Sequence, residues 1–174
     1  SDMAEIRGPE QANGSTKTVL WHCELSLVRE WQDRHILYLS EMVDGFRAAG
    51  VQLKGASFHI PSRYERNEVV SGAFVGQGSP MSPQQMLKNS KANSEIIRGI
   101  LDRSGFGGAT LLVENNNHLG TDAYDVITEP HFIGNLLEST EFSLLLDVAH
   151  GRITAINTNQ PELDYFEKLP IQLA

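Results

Sequence analysis

Apolar residues fall along this chain in two alternating rhythms, short unbroken runs and three-or-four spacings. The first run, Thr18 to Val28, mixes β-branched, aromatic and aliphatic residues after a Gly/Ser/Asn stretch and predicts a strand. From about Arg29 to Ala49, Ile36, Leu39, Val43 and Phe46 recur at helical spacing, and Gly50 supplies a stop. Val51 to Ile60 reads as a second strand closed by Pro61. Residues 62 to 81 hold three Gly, the charged cluster Arg63-Tyr64-Glu65-Arg66 and no helical period, and predict a long loop.

Ser82-Pro83-Gln84-Gln85 is a helix start, because the Ser hydroxyl can cap the first turn and Pro loses no hydrogen bond at the first helical position. That helix should reach about Ser104. After a turn at Gly105 to Gly108, Thr110 to Val113 forms a buried strand that delivers Glu114 at its C-terminal end. Thr128-Glu129-Pro130 opens a short helix through Leu137, Phe142 to Leu146 is a further apolar strand ending in Asp147, and Pro161 to Leu169 closes as a helix. Leu169 to Ala174 is expected to begin another strand.

Strands and helices alternate, and the strands are nearly continuous in apolar character, so a parallel sheet covered by helices is expected. The fold class is α/β, a (β/α) TIM-type barrel with four or five of its strands. A full barrel takes about 250 residues, so a sheet of this length leaves raw edges. Their cover is expected from a second copy, a swapped element or the remainder of a longer protein.

Composition narrows the partners. The 174 residues are 40% hydrophobic and 21% charged, as in one ordinary domain spanning 1–174 with an irregular segment over 1–17. A net charge of -8 repels phosphate backbones, so no nucleic-acid partner is expected. The one cysteine, Cys23, can form no internal disulfide and no Cys-based zinc site. No apolar run is long enough to span a membrane, and a cytoplasmic location with no membrane partner is the expectation.

Chemistry concentrates at strand ends, where the loops of a (β/α) barrel converge on one mouth. Four predicted strands end in metal-ligand residue types: His22 or Glu24, His59, Glu114, and Asp147 with His150. A lone His in an apolar strand is more often a hydrogen-bonded core residue. A carboxylate directly after Leu-Leu-Val or Leu-Leu-Leu needs a partner, since burying it unpaired costs several kcal/mol. A salt bridge would serve, yet Arg152 is the one cation nearby in sequence whereas His and Asn crowd both sites. Asp-x-x-His lets a carboxylate and an imidazole one turn later reach one ion, and Asn117 stands three residues after Glu114 in the same way. His118 and His131 read as solvated residues, His35 as part of a helix face, and Asn157 and Asn159 as helix caps. The Arg63 to Arg66 cluster reads as an exposed loop that could also meet an anionic or peptide substrate.

The segments Leu-Leu-Val-Glu-Asn, Thr-Glu-Pro-His-Phe-Ile, Leu-Leu-Leu-Asp-Val-Ala-His and Asn-x-x-x-Pro-Glu-Leu-Asp-Tyr-Phe-Glu-Lys-Leu-Pro, in that order over Leu111 to Leu173, resemble the multinuclear non-haem iron-dependent oxidases. That family lies within the xylose-isomerase-like barrels. Upstream the resemblance is looser and rests on Trp21-His22 and Phe58-His59. It implies two or three iron ions, with His22, His59 and Glu114 as ligands, Asp147 shared, and Asn117 and His150 on an additional ion. It also implies oxidation of a ribosomally made peptide, delivered by a small partner protein. The family carries a further His on the next strand, and this chain ends at Ala174 before it.

The donor types alone suit manganese, zinc or cobalt as well as iron. A sugar isomerase or an endonuclease IV-like hydrolase on the same barrel is therefore the alternative, with a metal polarising a carbonyl or activating water. A barrel segment acting as a binding or assembly module is the non-enzymatic reading.

Overall fold

The computed structural model describes residues 17–173, so the irregular segment expected over 1–17 lies almost wholly outside the described residues. In chain order the elements are β1 (Thr18–Ser26), α1 (Asp33–Ala48), β2 (Gln52–His59), β3 (Arg66–Val70), β4 (Ala73–Gln77), α2 (Pro83–Arg103), β5 (Thr110–Glu114), α3 (Pro130–Ser139), β6 (Ser143–Leu145), α4 (Val148–Asn157) and α5 (Glu162–Lys168). Single 3₁₀ turns lie at Asp122–Tyr124 and Ile171–Leu173.

Four strands pair in parallel in the order β1-β2-β5-β6, and β3 pairs with β4 as a separate antiparallel ribbon. The parallel sheet is open, with β1 and β6 at its edges. Register explains its two faces. His22 stands beside Ser57, Ser57 beside Leu112, and Leu112 beside Ser143. Because side chains alternate, Trp21, Cys23, Ala56, Phe58, Leu111, Val113 and Leu144 all point the other way, and each is at most 8% exposed. That face is the core. α1 adds Leu39, Val43 and Phe46 to it, and α2 adds Met86, Ile97, Ile100 and Leu101. Phe58 is its hub, in edge contact with Trp21 and Phe142.

α2 begins as its sequence predicts, the Ser82 hydroxyl accepting from the Gln85 amide at 3.1 Å with Pro83 at the first helical position. Its buried side also carries Asn89 and Asn93, which donate to the carbonyls of Val28, Leu27 and Arg29 at 2.7–2.8 Å. The loop after β1 is thereby tied to the helix across the core. Buried polar groups are tolerated when so satisfied.

Three segments depart from the sequence expectation. Residues 62–81 are not all loop: β3 and β4 form a hairpin across Ser71 and Gly72, whose φ values of 51° and 83° suit a two-residue turn matched to strand twist. The ribbon is mostly exposed and so lacks an apolar run, but its Ser-Gly turn is a readable signal. α4 is an additional helix between Asp147 and Pro161. It buries small residues, Gly151, Thr154 and Ala155, while Val148 and Ile156 face solvent, so apolar spacing does not announce it. The strand expected from Leu169 is instead a turn, because the amides of Leu169 and Ile171 bond back to Phe166 and Leu169 rather than to a ladder. Among the described residues no helix is long and apolar enough to cross a membrane.

Candidate metal centre

Period-two alternation puts His22 on β1, His59 on β2 and Glu114 on β5 on the face of the sheet opposite the core; His59 and Glu114 are the last residues of their strands, whereas β1 runs on past His22 and Glu24 to Ser26, so His22 stands at mid-strand. Asp147 follows β6 and caps α4, its Oδ1 accepting from the His150 amide at 2.9 Å. His150 lies one turn into that helix. Two donor groups result, His22 with His59 and Glu114, and Glu114 with Asp147 and His150, and in each the ligand-type atoms lie within 4.8 Å of one another. Glu114 is common to both. Its Oε2 is 3.8 Å from His22 Nδ1 and its Oε1 is 3.3 Å from His150 Nδ1. The resemblance gives the shared role to Asp147; here Asp147 belongs to one group and Glu114 to two.

Supporting contacts order these side chains. His22 Nδ1 is 2.8 Å from the buried Ser57 hydroxyl, which leaves Nε2 facing His59 Nε2 at 2.5 Å. Two imidazole nitrogens aimed at one point can share a single proton or a cation, never two protons. His150 Nδ1 is 2.9 Å from the Asn115 carbonyl, which can only accept, so Nδ1 is the donor there. Anchoring one ring nitrogen on a carbonyl or hydroxyl is how ligating histidines are commonly oriented. Burial first, then the neighbouring His22 and His150, hold the His59 imidazole down to about 4, which keeps it neutral at physiological pH. Neutral imidazole is the ligating form.

Among the described residues, the charged or chargeable partners of Glu114 and Asp147 within 4.0 Å are His22 and His150, with no Lys or Arg. Glu114 is 12% exposed and is thus largely withdrawn from water. Three imidazoles and two carboxylates with ordered outer contacts fit a divalent cation of the iron, zinc or manganese type.

Asn115 is a residue the sequence reading missed. It is 2% exposed; its Oδ1 accepts from the Asp147 amide at 2.7 Å and its Nδ2 donates to the Asp147 carbonyl at 2.9 Å, which clamps the end of β5 to the end of β6. An Asn directly after the strand-tip Glu, able to donate and accept at once, was its one signal. Asn117 lines an adjoining cavity of about 270 Å³ with His59, Glu24 and Tyr124, and Gly72 and Phe74 of the hairpin line it too.

The remaining candidates have structural partners. His118 pairs with Asp125 at 3.2 Å, and Asn157 donates to the His118 carbonyl. His131 contacts Asn135, and His35 caps the start of α1 by accepting from the Gln32 amide at 3.0 Å. Within the charged cluster, Tyr64 is buried and its hydroxyl donates to Asp122, while the Arg63 guanidinium lies over the Tyr64 ring at 5.7 Å.

No known family profile matches the chain, and no curated protein matches it either. Among solved structures it is similar to the apo form of 3-keto-D-glucoside 4-epimerase from E. coli, with 13% identity and a TM-score of 0.47 over 88% of this chain. The chain spans 56% of the length of that structure.

Proposed function

We propose that this chain provides the metal-binding half of a (β/α)-barrel enzyme, holding two neighbouring divalent cations that share Glu114. The observation that supports this best is the double membership of Glu114, whose two oxygens face separate His-containing donor groups. Adjacent cations bridged by one carboxylate are a recurrent catalytic arrangement. When bound, the ions would supply Lewis acidity, or redox chemistry where they are iron.

Within that frame, His22, His59 and Glu114 have the two-His, one-carboxylate make-up of oxygen-using non-haem iron sites. This favours the oxidase acting on a peptide, as the family resemblance also implies, with a small protein delivering the peptide. The sugar isomerase or hydrolase reading draws on the other group, Glu114, Asp147 and His150, whose two carboxylates suit manganese or zinc in a non-redox role. In either case the residues of this chain orient the ions and exclude competing protons, and the cavity beside His59 receives the substrate.

Anaerobic loading followed by elemental analysis tests the metal reading. The wild-type chain should hold about two equivalents of iron, zinc or manganese, and Glu114→Gln should fall well below one because both groups lose a ligand. A Glu114→Gln protein with the wild-type load would overturn it. Dioxygen uptake by the iron-loaded chain supports the oxidase, whereas a manganese-loaded chain that catalyses solvent deuterium exchange into an aldose supports the isomerase.

A further inference from the structure

Where β1 ends, the backbone is fully engaged: the carbonyls of Leu27, Val28 and Arg29 accept from Asn89 and Asn93, and the Trp31 indole donates to the Ser26 carbonyl at 2.8 Å. Two side-chain atoms in the same stretch are left over. Ser26 Oγ and Arg29 Nε are buried with no hydrogen-bond partner. Ser26 is 8% exposed. Buried polar groups are nearly always partnered, and unmet ones mark strain, a functional role, or a place for a water, an ion or a ligand. The surrounding backbone bonds are ordinary, at 2.7–2.8 Å, which argues against strain.

Both residues line one cavity of about 150 Å³, together with Trp31, His35 and Pro61. A guanidinium donates only, and a hydroxyl beside it can donate too, so the complementary group is an acceptor, and a charged one for preference. Arg29 is not already neutralised: Glu65 acts on it through space, but no ion pair to Arg29 within 4.0 Å exists among the described residues. Glu24 also lines the cavity, and its carboxylate repels an anion that Arg29 attracts. Glu24 and Pro61 also line the larger cavity that contains His59, so the two spaces adjoin.

We propose that Ser26 and Arg29 form an oxyanion subsite beside the candidate metal centre, which takes the carboxylate or phosphate group of a substrate. Resting on the metal reading, the remainder of that substrate runs past Glu24 toward His59. Its chemical class is then an acid with a reactive group a few bonds from its anionic end.

Nitrogen-15 NMR tests the subsite on the metal-free 174-residue chain. The Arg29 Nε–H and Trp31 indole N–H signals are followed while inorganic phosphate or acetate is added at constant ionic strength, with chloride as control. Both signals should shift saturably with one or both oxyanions and not with chloride, and the anion that saturates at lower concentration identifies the group bound. Ser26→Ala should weaken binding roughly tenfold, and Arg29→Lys, followed through Trp31, should weaken it more, because an ammonium cannot reproduce the forked donors. The Glu114→Gln chain should titrate like wild type, which separates this subsite from the fate of the metal reading. Signals that move only linearly, or equally in chloride, or unchanged in Arg29→Lys, would overturn it.

Discussion

Asp147 holds two roles at one position. Its Oδ1 caps α4 while its other oxygen lies 3.9 Å from His150 Nδ1, in the donor group that also contains Glu114. The two roles respond differently to substitution. Asn caps a helix about as well as Asp, so Asp147→Asn should keep the fold, and relieving repulsion from Glu114 should leave the metal-free protein as stable or more so. Asp147→Ala loses the cap and should cost about 1 kcal/mol. Both should bind less metal. Denaturant melts of the metal-free variants beside elemental analysis would check this, and an Asn variant with an undiminished load would leave Asp147 as a cap alone.

Among elements, α2 does more than cover the sheet. Asn93, 1% exposed, donates to two carbonyls of the loop that follows β1, and Asn93→Ala would strand both in a buried place. The expected loss is about 1–3 kcal/mol by denaturant unfolding, with the metal capacity of the folded fraction retained, because β5 and β6 are untouched. A loss below about 0.5 kcal/mol would mean that water or a shifted backbone takes over both carbonyls. Such a role is invisible in sequence, where Asn89 and Asn93 interrupt an apolar face and read as polar noise. The four parallel strands were legible, since each buries one face in an unbroken apolar core. The hairpin was readable only at its Ser-Gly turn and α4 not at all, because exposed ribbons and helices packed through small residues leave no apolar period. At the candidate centre His59, Glu114 and Asp147 could be nominated from positions at or just after strand ends, and Asn117 and His150 from their three-residue spacing to Glu114 and Asp147, whereas the sharing of Glu114 and the clamp of Asn115 depend on how strands stand side by side.

At the scale of the whole molecule, the open sheet has a cost. Among the described residues β1 and β6 are the edge strands of the parallel sheet, and Leu20, 56% exposed, stands on the face opposite the core. Further apolar surface lies exposed at Val148, Ile156 and Leu163. Edges and apolar patches of this kind attract another chain. The 174-residue chain, 19.3 kDa, should therefore associate, and light scattering at micromolar concentration should return at least twice that mass. A monodisperse monomer that binds no apolar dye would show that the face is sufficiently covered by the chain itself.

β3 and β4 exchange ladder bonds with each other and with none of the four parallel strands, yet Gly72 and Phe74 of this ribbon line the cavity beside His59. Insertions or deletions made in matched pairs along this ribbon would leave the register of the main sheet unaltered. Descendants of one ancestral chain could thus change what the mouth admits while every strand-tip donor stays where it is, so that selectivity and chemistry evolve on separate tracks.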